Sequence, residues 1–294
     1  PQPFFHSSFI VPHSSFSSMP EGPEIRLAAD KIEKALLKHP VTEVFFAFDH
    51  LKPFEDDLTG CHVTRVETRG KAMLTHFDNG LSVYSHNQLY GKWMVRKAQN
   101  FPDTNRQLRF AVHNAKKSAL LYSASDIQIL SSPEEIENHP FLSKLGPDVL
   151  SSGIKPKTLQ DSLKSKKHYR RRLSTLYLDQ HFLAGIGNYL RSEILFVARL
   201  NPYLRPMDCT DEQLLALAEA SIEISYQSYR YKGVTNDLDL ANQLKAKGAK
   251  YRDYRYWVFG RKDKPCYECG THVVKEMVSS RRIYYCPTCQ PEKA

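Results

Sequence analysis

The chain has 294 residues, 41% of them hydrophobic and 11% aromatic, enough to form the cores of about two domains. No stretch approaches the roughly 18 consecutive apolar residues of a membrane helix, and residues 1–18 lack the basic and apolar segments of a secretory signal, so we expect a cytoplasmic protein without membrane attachment. Lysine and arginine outnumber aspartate and glutamate by 41 to 32, and the net charge of +9 favours a polyanionic partner without proving one.

The chain opens on PQPFFHSSFIVPHSSFSS, which is rich in serine, phenylalanine and proline and contains no Asp, Glu, Lys or Arg. We expect residues 1–18 to be a disordered leader or an artificial extension outside the fold. A helix is predicted next, with Gly22 as its N-cap, Pro23 at its first position and His39-Pro40 at its end. Its apolar face would consist of Ile25, Ala28, Ala29, Ile32 and Leu36.

Short β-type patterns follow between Val41 and about Leu130, separated by turns such as Asn79-Gly80. They include VTEVFFAF, HVTRVETRGKAMLTHF, LSVYSH, RQLRFAVH and SALLYSA. Several antiparallel strands of this length predict a β-sandwich. We therefore expect an α+β, bilobal protein in which residues 20–143 form an N-terminal β-sandwich domain with the first helix attached.

The composition then shifts to SSPEEIENHPFLSKLGPDVLSSGIKPK, whose four prolines and two glycines are typical of a connecting segment. We place an interdomain connector at residues 144–157. Beyond it, helical periodicity such as that of EQLLALAEASIEISYQSY predicts a helical domain over residues 158–256.

Four of the six cysteines form two pairs, Cys266-Tyr-Glu-Cys269 and Cys286-Pro-Thr-Cys289, separated by sixteen residues. Two such pairs, brought together by a hairpin, predict one Zn²⁺ in a closed four-thiolate shell, which makes the metal structural rather than catalytic. Disulfides are disfavoured in a reducing compartment. We therefore expect a zinc finger over residues 257–294, with one Zn²⁺ per chain. The remaining candidates, His272, Cys61 and Cys209, are expected to be an exposed strand residue and two packing residues.

Three features point to nucleic acid, and each also has a purely structural interpretation. The run KSKKHYRRRL at 164–173 is either a DNA contact or a solvated helix face. The GIGNYL stretch at 185–190 either admits a phosphate at a helix N-terminus or makes a tight turn between helices. Arg281-Arg282, in the zinc hairpin, either reaches a phosphate or lies in an exposed turn.

Seven stretches together carry a resemblance that runs from about Met19 to the C-terminus. They are MPEGPEIRLAADKIEKAL, VETRGKAMLTHF, LSVYSHNQLYGKW, LLYSASDI, GPDVL, LDQHFLAGIGNYLRSEIL, and CYECG with SSRRIYYCPTCQ. They resemble the bacterial endonuclease VIII branch of the formamidopyrimidine-DNA glycosylase family. The resemblance implies a C-terminal helix-two-turn-helix domain with a zinc finger, and a monomeric enzyme that removes oxidised pyrimidines from duplex DNA and cuts the strand at the abasic site.

The same resemblance implies catalytic roles for four residues. Pro20, as a free N-terminal secondary amine, would attack C1′ of the damaged nucleotide and form a Schiff base. Glu21 would move protons to and from the sugar during ring opening. Glu24 would support the pocket from the first helical turn, and Lys71, expected on a strand, would contact a phosphate beside the lesion and help to protonate the departing base.

Five further residues would bind DNA by the resemblance. Asn188 and Arg281 would clamp phosphates around a kinked strand. The triplet Gln88, Leu89 and Tyr90 would fill the gap left by the flipped nucleotide, although as an isolated pattern it is more often a plain turn.

Pro20 is internal in this sequence, so its nitrogen is a tertiary amide that cannot act as a nucleophile. We expect translation to begin at Met19, or the leader to be artificial, so that removal of the methionine exposes Pro20. Two alternatives remain open. One is a glycosylase of the same family acting on formamidopyrimidines or 8-oxoguanine, because the Gly-Arg step of the FGRKDKPC segment resembles the formamidopyrimidine branch more closely. The other is a non-catalytic zinc-ribbon DNA-binding protein, which a blocked Pro20 would produce.

Overall fold

The computed structural model describes residues 20–292, so the expectations for the leader and for Met19 lie outside the described residues. The N-terminal half is a sandwich of two four-stranded antiparallel sheets, ordered β1-β6-β7-β5 and β2-β3-β4-β8. This confirms the predicted β-sandwich. The strands are β1 (Val41–Phe46), β2 (Val63–Arg69), β3 (Ala72–Phe77), β4 (Ser82–His86), β5 (Lys92–Lys97), β6 (Leu108–Asn114), β7 (Lys117–Tyr122) and β8 (Asp126–Leu130).

The first helix, α1 (Gly22–Leu36), packs on the sandwich through the predicted apolar face, which joins the same buried cluster as residues of both sheets. Its N-cap is Glu21, not Gly22 as predicted. Glu21 has extended backbone angles, and its N–H donates to the Glu24 carboxylate at 3.1 Å, which satisfies a donor at the start of the helix. This half also contains two short helices, α2 (Phe54–Leu58) and α3 (Pro133–Glu137).

The C-terminal half is helical and ends in a β-hairpin. Its core is one buried cluster contributed by several helices, with Tyr177 and Tyr189 fully inside it. None of the helices within residues 20–292 is long and apolar enough to cross a membrane. The elements are α4 (Pro156–Lys164), α5 (Leu173–Leu176), α6 (Asn188–Val197), α7 (Asp211–Arg230), α8 (Leu238–Ala246), α9 (Tyr251–Tyr254), β9 (Val274–Val278) and β10 (Arg281–Tyr285).

The basic run at 164–173 is not a helix face. Helix α4 ends at Lys164 because Ser165 adopts extended backbone angles, and the residues that follow form turns. Two of its cations are paired within the protein, Lys164 with Asp211 at 2.7 Å and Arg171 with Asp179 at 2.7 Å. The run is therefore an irregular segment with part of its charge already neutralised.

The β2–β3 turn and the β4–β5 turn of the sandwich meet the loop before α6 near the start of α1. Lys71 lies in the two-residue β2–β3 turn, not on a strand, because Arg69 pairs with Ala72 and Gly70 takes the left-handed conformation at φ +60°. The Gly70 N–H donates to Asp148 at 2.6 Å, which ties this turn to the segment leading into the helical half.

Candidate active site and metal centre

A cavity of about 470 Å³ opens where these loops meet. Six of the nine predicted catalytic and DNA-binding residues lie in its wall, although they come from both halves of the chain. The lining residues are Glu21, Lys71, His86, Leu89, Tyr90, Phe141, Leu178, Gln180, Gly187, Asn188, Phe259, Arg281 and Arg282.

Glu21 is held against the N-terminus of a distant helix. Its carboxylate accepts hydrogen bonds from the backbone N–H groups of Gly187 at 2.7 Å, Tyr189 at 2.9 Å and Leu190 at 3.2 Å, where α6 begins. The side chain is buried, and burial raises the pKa of Glu21 to about 7 against the opposing influence of Lys71. A carboxyl group poised near neutrality can both give and take a proton.

Glu24 does not line this cavity. Its carboxylate accepts hydrogen bonds from the hydroxyl of Tyr189 at 2.9 and 3.0 Å and from the Glu21 N–H, and Arg255 lies 3.7 Å away. Burial raises the pKa of Glu24. Because the Glu21 N–H belongs to the peptide that joins Pro20 to Glu21, Glu24 orients the backbone next to Pro20.

The Lys71 ammonium reaches the same loop as Glu21 from the other side. Its Nζ donates to the carbonyl oxygen of Ile186 at 2.6 Å. Burial lowers the pKa of Lys71, and the neighbouring Glu21 opposes this shift. An acid of raised pKa and a base of lowered pKa thus share one wall of the cavity, which is typical of sites that move protons.

Three cavity residues supply hydrogen-bonding groups or positive charge. Asn188 is the first residue of α6, and its Oδ1 is buried with no hydrogen-bond partner among the described residues. Arg281 is exposed and begins β10, directly after a turn in which Ser279 and Ser280 both have positive φ. Arg282 continues the strand beside it. The two arginines of the hairpin therefore share the cavity wall with the first residue of α6.

The predicted triplet lies in the β4–β5 turn. Leu89 is 57% exposed and Tyr90 71% exposed, and both line the cavity. Gln88 has φ +49° and accepts a hydrogen bond from the Ser125 hydroxyl at 2.7 Å. A large apolar side chain held in solvent on a tight turn costs free energy unless a partner covers it, so Leu89 and Tyr90 are candidates for contact with a ligand.

The four paired cysteines form one cluster. Their Sγ atoms all lie within 4.8 Å of one another, with Cys266 to Cys289 at 3.9 Å and Cys269 to Cys286 at 3.5 Å. Thiolates around one tetrahedral ion at about 2.3 Å would be about 3.8 Å apart, so the donor set fits a metal ion of that kind. The cluster lies at the base of the β9–β10 hairpin, so it anchors the element that presents Arg281.

Sequence reasoning missed several cavity residues. His86 ends β4 and packs edge-on against Phe141, and burial lowers its pKa. Gln180 shapes the loop before α6, because its amide donates to Ile186 O at 2.9 Å and accepts from Gly185 N–H at 3.0 Å. Neither residue belongs to a local motif; only the SHNQLY and LDQHFLAGIG stretches in which they lie could have drawn attention to them.

Comparison with known proteins identifies the family. The family model for the formamidopyrimidine-DNA glycosylase N-terminal domain matches residues 19–125, and the model for the H2TH domain of the same glycosylase matches residues 145–237. Endonuclease 8 of Escherichia coli is 48% identical over 272 residues, which cover 92% of this chain and 100% of that protein. The chain belongs to the endonuclease 8 family. Endonuclease 8 of Salmonella paratyphi B is likewise 48% identical over the same shares of both chains.

Solved structures share the fold. Lactococcus lactis Fpg in complex with abasic-site DNA superposes with a TM-score of 0.76 at 18% identity, over 92% of this chain and 100% of that one. MutM in complex with DNA containing carbocyclic 8-oxo-G superposes with a TM-score of 0.76 at 19% identity, over 93% of this chain and 100% of that one. The predicted fold, an N-terminal β-sandwich with a C-terminal H2TH domain, is confirmed.

Proposed function

We propose that this chain is a bifunctional DNA glycosylase and AP lyase that removes oxidised pyrimidines from duplex DNA and then cuts the strand by β,δ-elimination. Membership of the endonuclease 8 family makes it a DNA glycosylase of base excision repair with AP lyase activity. The observation that carries the chemistry is the position of Glu21. This buried carboxyl group directly follows Pro20 and shares a cavity with Lys71.

The nucleophile in this proposal is the nitrogen of Pro20, set free as an N-terminal secondary amine. It attacks C1′, the bond from C1′ to the base breaks, and the departing base takes up a proton. Loss of the amine proton and opening of the sugar ring leave an iminium between Pro20 and C1′. Glu21 gives a proton to the ring oxygen as the ring opens, and its pKa near 7 suits that task.

Strand cleavage follows from the same intermediate. The iminium acidifies the protons on C2′, so removal of one of them expels the 3′ phosphate in a β-elimination, and a second elimination expels the 5′ phosphate. Lys71 would contact a phosphate next to the lesion and protonate the leaving base. Its lowered pKa makes it a better proton donor at neutral pH than an exposed lysine.

The DNA is held by groups around the cavity mouth. Asn188 and Arg281 would bind phosphates of the kinked strand, which is supported by their place at a helix N-terminus and beside it. Gln88, Leu89 and Tyr90 would occupy the space that the flipped nucleotide leaves. The net charge of +9 favours such a polyanionic ligand.

The four-cysteine cluster would hold one Zn²⁺ through Cys266, Cys269, Cys286 and Cys289. A closed four-thiolate ion supplies no open coordination position, so its contribution is to fix the hairpin. We also propose a functional division at residues 20–143, 144–157, 158–256 and 257–294, for the catalytic sandwich, connector, helix-two-turn-helix and zinc units.

Comparing substrates tests the proposal. A chain beginning at Pro20 is expected to excise thymine glycol from a duplex much faster than 8-oxoguanine. The reverse preference would favour a formamidopyrimidine-type glycosylase. DNA binding without excision of either base would favour a non-catalytic zinc-ribbon protein.

A further inference from the structure

Arg255 lies at the end of a chain of contacts that leads back to Pro20. Its guanidinium is 3.7 Å from Glu24 Oε1, and its side chain is only 16% exposed. Glu24 in turn accepts the N–H of Glu21 at 3.1 Å. That nitrogen is separated from the Pro20 nitrogen only by the α-carbon and carbonyl carbon of Pro20. A shift of the Glu24 carboxylate would therefore reach the proposed nucleophile.

The guanidinium is fixed independently of Glu24. It lies 4.5 Å from the ring centre of Tyr251 and 4.2 Å from that of Tyr256, and its Nε donates to the carbonyl oxygen of Gly233 at 3.0 Å. Stacked arginines keep one orientation because the ring faces and the fork of donors restrict the side chain together. Arg255 is therefore a rigid cation next to a partly buried carboxyl group.

Gly233 leaves the space for this arrangement. It has φ +92°, and a Cβ added there would lie 2.5 Å from Nη2 of Arg255 and 2.7 Å from the Tyr251 hydroxyl. The Tyr251 hydroxyl donates to the carbonyl oxygen of Lys232 at 2.6 Å. The loop after α7 therefore contacts both the Arg255 side chain and the tyrosine that stacks on it.

Among the described residues, the Glu24 carboxylate acts only as a hydrogen-bond acceptor. Tyr189 and the Glu21 N–H donate to the carboxylate, and Arg255 adds positive charge, so the ionised form of Glu24 fits the site. Burial raises the pKa of Glu24, and Arg255 opposes that rise. The titratable and charged groups that face Glu24 are Glu21, Lys71, Tyr189, Tyr251, Arg255 and Tyr256.

We propose that Arg255 is a positioning residue for Schiff-base formation, which fixes the Glu24 carboxylate and through it the Pro20–Glu21 backbone. This inference rests on the proposed function, because Arg255 is proposed to position Pro20, the nucleophile named there. Arg255 itself touches neither the sugar nor the base in this proposal. Its effect should appear in the rate of the covalent step and not in DNA affinity.

The test uses chains that begin at Pro20 and carry Arg255→Ala, Arg255→Lys, Gly233→Ala or the control Arg252→Ala. Arg252 lies in α9, whose C-cap is Arg255, but it is 80% exposed, and within residues 20–292 its ion pair is with Asp253, at 3.8 Å. The single-turnover rate of borohydride trapping on an abasic duplex is measured, together with the Kd for a duplex containing a tetrahydrofuran abasic analogue, which cannot form the Schiff base.

Arg255→Ala should slow trapping by about 10- to 100-fold, the size expected for a misplaced reacting group, while Kd stays within about threefold. Arg255→Lys should recover part of the rate because it keeps the charge but not the stacked fork, and Gly233→Ala should slow trapping similarly. Arg252→Ala should match the unsubstituted chain. The acid limb of the trapping rate should move to higher pH in Arg255→Ala, since removing the cation raises the pKa of Glu24 further.

An unchanged trapping rate in Arg255→Ala, or a loss that appears entirely as a weaker Kd, would overturn the proposal. Should Arg255→Ala fail to fold by circular dichroism, a full rate in Arg255→Lys would overturn it equally. No trapping by the unsubstituted Pro20 chain would instead remove the proposed function itself. Normal trapping by that chain and by Arg255→Ala would remove only the role of Arg255.

Discussion

Glu21 caps helix α6, whose N-cap Gly187 lies 166 residues further along the chain, because the Glu21 carboxylate accepts the N–H of Gly187 at 2.7 Å. This contact joins the first residues of the sandwich domain to the start of α6. It requires a residue without a side chain at position 187, since an added Cβ would lie 2.4 Å from Cδ of Glu21. Catalytic placement and the contact between the two halves thus depend on the same pair.

Gly187→Ala is therefore expected to reduce both activity and stability. The new methyl group must push the Glu21 carboxylate away from the α6 N-terminus, and overpacking of this kind costs about 1–3 kcal/mol in the free energy of unfolding. Gly153→Ala is the control, because its Cβ would meet only the Ser151 hydroxyl at 3.8 Å. Urea unfolding and single-turnover excision measure the two effects; a Gly187→Ala chain equal to Gly153→Ala in both would contradict the arrangement.

The raised pKa of Glu21 makes a prediction for stability. Between pH about 4.5 and about 7 the folded chain keeps a proton on Glu21 that the unfolded chain has released. The contribution of this group to the free energy of unfolding is therefore largest below pH 4.5 and falls as the pH rises to 7, by up to about 3 kcal/mol. In the 294-residue chain, Glu21→Gln should flatten the change in stability between pH 5 and pH 8. Identical pH dependence in the two chains would show that Glu21 titrates normally.

Leu89→Ala is expected to reduce the distortion of bound DNA without changing the stability of the fold. The side chain is 57% exposed, so the free energy of unfolding should change by less than about 0.5 kcal/mol. Excision from a duplex should fall by at least about tenfold, because the gap left by the flipped nucleotide would stay unfilled. Fluorescence of 2-aminopurine opposite the lesion reports the distortion directly. Met277→Ala, at a side chain that is 60% exposed, is the control and should behave as the unsubstituted chain.

Loss of the metal should act through the hairpin. Chelation, or Cys286→Ser, is expected to remove one Zn²⁺ per chain and to loosen β9 and β10, so that Arg281 is no longer held at the cavity. DNA affinity should then fall by more than about tenfold, with a smaller salt dependence. Cys209→Ser, which changes a cysteine outside the cluster, should keep both metal and affinity. Full DNA affinity in metal-free protein would refute this role.

Local patterns were enough to predict some features of the fold. The apolar spacing of α1 gave its buried face, and the two Cys-x-x-Cys pairs gave the four-sulfur cluster. The glycines at 185 and 187 stand directly before the start of α6, as both interpretations of the GIGNYL stretch require. In each case the information lies within a few residues, or within a spacing that one metal ion enforces.

The remaining features depend on contacts between distant segments. Nothing near Glu21 indicates that its carboxylate will cap α6, and nothing near Arg255 indicates that it will meet Glu24. Of the two interpretations of the basic run at 164–173, the helix face is wrong, and the charges of the run do not show that Ser165 ends α4. Gly70 takes a positive φ in the β2–β3 turn, so this glycine is the local signal from which a turn at Lys71, and not a strand, could have been predicted.

Borohydride trapping on a thymine-glycol duplex decides whether Pro20 is the nucleophile. The 294-residue chain and a chain beginning at Pro20 are compared side by side, and the adduct is mapped by peptide mass. A covalent adduct at Pro20 is expected with the shorter chain alone, because only there is the nitrogen a free secondary amine. An adduct at Lys71 or another lysine, or no adduct with either chain, would show that Pro20 is not the nucleophile.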